Sequence, residues 1–143
     1  MTQANSVDAI TSSVVPEELR PNFLPHYLGS HSLRGEALVY EWAHRLASAY
    51  DGGSWSFFQL SNGGFYMAPE QCERLYVRWH LNGYNDMMGA DAFGIVVTLF
   101  ALCHLAELRH DDSIIGHFIG HYHALRAYAT QHMEAANILR AID

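Results

Sequence analysis

Lysine is absent from this chain of 143 residues, so eight arginines supply all of its fixed positive charge. They stand at Arg20, Arg34, Arg45, Arg74, Arg78, Arg109, Arg126 and Arg140, scattered along the chain with no run that forms a basic stripe. A grip on nucleic-acid phosphates rests on clustered Lys/Arg that release counterions. With a formal net charge of −7, direct nucleic-acid binding is not expected. Mimicry of DNA by carboxylates is weakly supported too. DNA presents one charge about every 1.7 Å of axis, whereas only Glu17-Glu18 and Asp111-Asp112 are adjacent acidic pairs here. Cysteine is scarce: Cys72 and Cys103 lie far apart without a CxxC spacing, which gives neither a disulfide framework nor a zinc site. Two buried thiols in a reducing cytosol are the expectation.

Other signals are missing as well. Met1 to Val14 has no positive region and no long apolar run, so it is not a secretory signal and reads as a flexible leader over 1–14. The remainder, 15–143, has the length and apolar content of one domain. The most apolar run, Ala92 to Ala106, falls short of a hydrocarbon core of about 30 Å at 1.5 Å per helical residue. No membrane is expected as a partner. There is no HExxH, no G-x-S-x-G elbow, and Gly63-Gly64 lacks the Lys and Ser/Thr of a phosphate loop.

What is present is turn chemistry. Asn62-Gly63 suits the positive φ of a two-residue type I′ hairpin. It is flanked by aromatic-rich segments from Trp55 to Leu60 and from Gly64 to Met67, and Pro69 should end the second strand. Asn82-Gly83 repeats the device. Before it, Leu75, Val77, Trp79 and Leu81 alternate with Tyr76, Arg78 and His80, a strand period of two; Tyr84 to Met88 is the return strand. A meander of three or four antiparallel strands is expected over about 54–88.

Helices should surround it. Pro16, Glu17 and Glu18 suit a short first helix that Pro21 and Pro25 keep from extending. Phe23, Leu24, Tyr27 and Leu28 should pack as a strap that Gly29 lets turn sharply. Ser32 is positioned to cap a helix from about Leu33 to Ala49, with Leu38, Trp42, Leu46 and Ala49 on one side and an exposed Glu41–Arg45 pair. The apolar run forms a buried central helix over about 91–108. Asp111, Asp112 and Ser113 cap another, whose stripe is Ile115, Phe118, Ile119, Tyr122 and Leu125. A last helix, from Gln131 to about Ala141, either stands apart or continues its predecessor. The fold class expected is α+β in a single domain.

Ten histidines are unusual at this length. His117 and His121 share a helix face and are the candidate metal pair, since two His four apart bind zinc when a third ligand arrives. No Cys or carboxylate follows at a characteristic spacing, and a hydrogen-bonded helix face is the preferred reading. His104 reads as a core histidine bonded to a carbonyl. Asp91, Glu107, Asp111 and Asp112 read as helix-end charges. No catalytic residue, metal or cofactor is assigned.

Three blocks fit a known pattern: Val15-Pro16-Glu17 with Arg20, Phe23-Leu24-Pro25 and Gly29; Ser61 to Pro69; and Ala90 to Leu102. Glu36 to Tyr40 and Tyr122 to Arg126 fit in order. Over about Val15 to Tyr128 the chain resembles the antirestriction proteins of the ArdB/KlcA type. The resemblance implies a cytoplasmic α+β protein of plasmids and other mobile elements, without known cofactor or catalytic residues. It would protect incoming DNA from host type I restriction–modification enzymes. The partner implied is the restriction complex or an associated host protein. The competing reading is a small metal-dependent hydrolase using the His-rich C-terminal helices.

Overall fold

In the computed structural model, residues 9–70, 74–108 and 111–143 are described. The flanks of both Asn-Gly pairs fold as antiparallel hairpins. Trp55–Leu60 (β2) pairs with Phe65–Pro69 (β3), and Arg74–Trp79 (β4) with Tyr84–Gly89 (β5). The meander expected over about 54–88 is divided into two sheets, because its middle edge is occupied. β3 turns its outer edge not to β4 but to a helix, Ala90–Glu107 (α3). There Met67 N–H donates to Thr98 Oγ1 at 3.3 Å, and the Thr98 hydroxyl approaches Met67 O at 3.4 Å. The helix thus supplies polar partners to an edge strand that would otherwise bury them unpaired. The other edge of the sheet takes Ser12–Val14 (β1), with Ser12 opposite Leu60 and Val14 opposite Phe58. The end of the expected flexible leader is therefore a strand; residues 1–8 lie outside the described residues.

The turns differ from expectation in detail. Gly63 N donates to Leu60 O and Leu60 N to Gly64 O, which closes a three-residue loop in place of a two-residue type I′ turn. Asn62 does not take positive φ; Gly63 alone does, at 89°. Such loops place one αL residue after the turn, a geometry that glycine adopts without a Cβ clash. At the second hairpin Trp79 pairs with Tyr84, so Leu81 falls in the loop and is exposed.

A 3₁₀ turn, Glu17–Asn22, runs into the short helix Phe23–Leu28 (α1), whose Phe23, Leu24, Tyr27 and Leu28 are buried as a strap. The next helix, Ser32–Leu46 (α2), begins at Ser32 itself. His31 is its N-cap and no side chain caps it, so the expected Ser32 cap is not made. α3 is long and apolar enough to cross a membrane by length and composition. Eleven of its residues are nevertheless buried in the protein, against β3, α2 and two later helices. It is the centre of the core, as expected.

Those later helices are Asp112–Ala129 (α4) and Ala135–Ile142 (α5), separate elements. Asp111 Oδ1 caps α4 by accepting from Ile114 N at 3.0 Å. The buried stripe of α4 is Phe118, Leu125 and Ala129; Ile119, expected on it, is exposed. Met133 lies in the α4–α5 connection and is almost fully exposed, because the last helix starts later than expected. Cys103, expected to be buried, is exposed on α3. Its partial burial and the neighbouring Glu107 raise the thiol pKa, which disfavours the reactive thiolate. Cys72 lies outside the described residues.

Candidate functional site

The helix α4 brings His117 and His121 to the strap. His117 Nε2 lies 2.8 Å from the Tyr27 carbonyl and 3.2 Å from His121 Nε2. A carbonyl only accepts, so His117 carries its proton on Nε2, and His121 presents a lone pair to the same atom. Burial, first, and the nearby His117 and His26 lower the His121 pKa against the opposing pull of the Tyr27 carbonyl. Among the described residues no group of three His, Cys, Asp or Glu can hold a metal ion. The pair is joined to the strap by hydrogen bonding and ring contacts: Tyr27 packs edge-on to His121, and His121 edge-on to Phe65. His104 bonds not to a carbonyl but to an indole: Trp42 Nε1 donates to its Nδ1 at 3.3 Å.

A second polar cluster sits where α3 begins. Asp91 accepts from the Tyr66 hydroxyl at 2.7 Å and from His132 Nε2 at 2.8 Å. His132 Nδ1 accepts from Glu134 N–H at 3.0 Å, which fixes the tautomer and occupies the second ring nitrogen. That histidine has no nitrogen left to act as a general base. Burial, chiefly, raises the Tyr66 pKa and keeps the phenol protonated as a donor. The Glu134 carboxylate accepts from Gly89 N, the residue before α3, at 3.1 and 3.2 Å. Asp91 was legible as a helix-end charge; its partners Tyr66 and His132 had no sequence signal.

The turn asparagines also reach across the fold. Asn62 accepts from Gly64 N at 3.1 Å and donates to Ala124 O of α4 at 2.8 Å. Asn82 accepts from Tyr84 N at 3.0 Å and donates to Ala141 O, at the end of α5, at 2.8 Å. The second bond satisfies a carbonyl that a helix terminus leaves without an intrahelical partner. Each asparagine thus closes its own turn and ties its hairpin to a helix as well.

One grouping escaped the sequence reading. Strand alternation puts Arg74, Tyr76 and Arg78 on the outward face of β4, with Met87 and Asn85 opposite the last two on β5. The end of α2 adds Arg45, which with Leu46, Ser48, Tyr76, Arg78 and His80 lines one concavity of about 460 Å³; Arg74 stands on the same face of β4, outside that lining.

These elements define an α+β domain in which hydrogen bonds from Asn62, Asn82, Asp91 and His117 tie helices, strands and turns together. Residues 48–143 match the family described as Antirestriction protein. The chain belongs to that antirestriction family. It is 47% identical to an Escherichia coli antirestriction protein KlcA over 135 residues, covering 94% of this chain and 95% of that protein. A second KlcA from the same species is also 47% identical and spans the whole of both chains. YafX of strain K12, an uncharacterized protein, is 41% identical over 94% of this chain and 88% of its own length. A solved structure from work on KlcA and ArdB superposes with TM-score 0.89 at 46% identity, covering 99% of this chain and all of the other. That work describes a novel fold, and antirestriction activity against type I DNA restriction systems in vivo but not in vitro.

Proposed function

We propose that this protein counteracts type I restriction–modification in the cytoplasm of a host cell, and that it does so by binding a protein rather than by catalysis. The observation that carries this is end-to-end similarity to KlcA in both sequence and fold. The mobile-element setting suggested by the resemblance belongs to the same proposal. The partner is the restriction complex or a host protein associated with it. Activity described for the relatives in vivo but not in vitro favours a partner present in cells over inhibition of the isolated enzyme. The hydrolase alternative gains nothing: His117 bonds the Tyr27 carbonyl, His121 bonds His117, and no three-ligand group forms among the described residues.

Plating of unmodified phage on a host that carries a type I system tests the proposal. Cells expressing the protein should give higher plating efficiency than empty cells. The same efficiency in both refutes the activity. Loss of protection in a folded His117→Ala/His121→Ala variant, with stoichiometric zinc in untagged protein, transfers the function to the metal reading.

A further inference from the structure

We infer that the outward face of the β4–β5 hairpin is a docking surface for an acidic segment of a protein partner. This deepens the interaction reading and rests on it. The chain carries a formal charge of −7, yet Arg45 and Arg78, two of its eight basic side chains, line one concavity, and Arg74 stands on the same outward face of β4. Arg74, Tyr76 and Arg78 project to the same side of β4 and are exposed. Arg45 is stacked over Trp42 at 4.4 Å and has Glu41 at 3.5 Å, which fixes its guanidinium at the rim of the concavity. No ion pair forms at Arg74 or Arg78 among the described residues.

The charges frame an apolar centre. Tyr76 is 45% exposed and stands directly opposite Met87, itself 41% exposed. Arg, Tyr and Met are the residue types enriched at protein interfaces. The arginines of β4 are about 13 Å apart along the strand, the span of a few extended residues. Guanidinium groups pair carboxylates through two parallel hydrogen bonds, which suits Asp or Glu side chains alternating along a peptide. A nucleic acid fits less well. Its continuous charge would meet the repulsion of the whole acidic body, and a patch this short gives little counterion release.

The full chain is titrated into a fluorescent oligoglutamate peptide, with anisotropy read at low and high salt. A neutral oligoglutamine peptide and a single-stranded oligothymidylate serve as comparators. The oligoglutamate should bind at low salt, with a Kd weakened about tenfold or more in Arg78→Glu and in Arg74→Glu. Arg78→Lys should keep most of the binding. Arg34→Glu, about 16 Å from Arg45 along α2, should behave as the parent. Unchanged melting temperatures establish that each variant folds. Equal binding by Arg78→Glu and the parent, or no binding at all, overturns the inference. Oligothymidylate binding through the same arginines, without peptide binding, overturns the choice of a protein partner. Phage plating separates the two levels: a parent protein that binds the peptide but gives no protection sinks the proposed function alone. A folded Arg74→Glu/Arg78→Glu variant that loses the peptide and still protects sinks the docking surface alone.

Discussion

Gly94 sets how closely α3 lies on β3, and its replacement gives a test in which two effects oppose. A Cβ built on Gly94 would meet Ala68 Cβ and Met67 O at 2.4 Å and Ala68 Cα at 2.5 Å. Carbon atoms pack at about 3.5–4.0 Å, so Gly94→Ala demands a separation of roughly 1 Å. Neither side yields readily. The opposing atoms are mostly backbone, β3 is held on its far edge by β2, and Thr98, one turn along α3, is bonded to Met67. Overpacking costs about 1–3 kcal/mol, and contact with backbone that cannot rotate away belongs at the upper end. Against this, alanine in a helix interior is favoured over glycine by about 1 kcal/mol. The net loss is about 2 kcal/mol. At about 3–4 °C per kcal/mol for a chain this long, the melting temperature should fall by about 6–8 °C.

Gly116 is the matched control. It lies inside α4, and a Cβ there would meet nothing within 4 Å. Gly116→Ala should therefore show the propensity term alone, a gain of up to about 1 kcal/mol. Thermal unfolding of both variants by far-ultraviolet circular dichroism reads the difference in sign. A Gly94→Ala protein as stable as its parent, or stabilised like Gly116→Ala, would show that the helix–strand contact is looser than described.

Thr98→Val keeps the shape but removes the acceptor from Met67 N–H; the loss should be about 1–3 kcal/mol in urea unfolding, with an unchanged m-value. Gly63→Val forces a β-branched residue to φ 89°, costing about 1–3 kcal/mol, and should lower the melting temperature and phage protection together. Lost protection at an unchanged melting temperature would make that turn a contact site. The His121 pKa is lowered from its ordinary 6.5, so in the window just below 6.5 the unfolded chain holds a proton that the folded one does not. Its stabilising contribution is complete above that window and is lost as pH falls through it; His121→Gln should flatten this part of the stability–pH curve.

The strands, the strap and the buried helix were legible because each rests on local chemistry. Alternation from Leu75 to Trp79, the cluster of prolines at 21 and 25, and the unbroken apolar run each bias their own segment. The division into two sheets was not legible, because it depends on which neighbour reaches the β3 edge, and a single hydroxyl at Thr98 makes the helix an adequate one. The turns show the same limit. Asn-Gly marks a reversal, but loop length follows strand register, and here an added residue leaves positive φ to Gly63 alone. The arginine face was half readable: Arg74, Tyr76 and Arg78 fall on one side by their period, whereas Arg45 joins them only through the packing of α2.

The same long-range contacts explain why that face can be stiff. Among the described residues the two sheets share no ladder, so their relative orientation depends on what bridges them. α3 is one bridge. The C-terminal segment is the other. Asn62 of the first hairpin bonds α4, and Asn82 of the second bonds the end of α5. Between these points Gln131 exchanges both amide bonds with Ile10 at 3.1 and 2.7 Å, His132 holds Asp91, and Glu134 holds Gly89. The connection from α4 to α5 therefore fastens the segment leading into β1, the start of α3 and, through α5, the second hairpin turn. Any one of these bonds contributes only about 0.5–1.5 kcal/mol. Their number fixes the β4–β5 hairpin against the first sheet before a partner arrives, which reduces the ordering cost of docking on it.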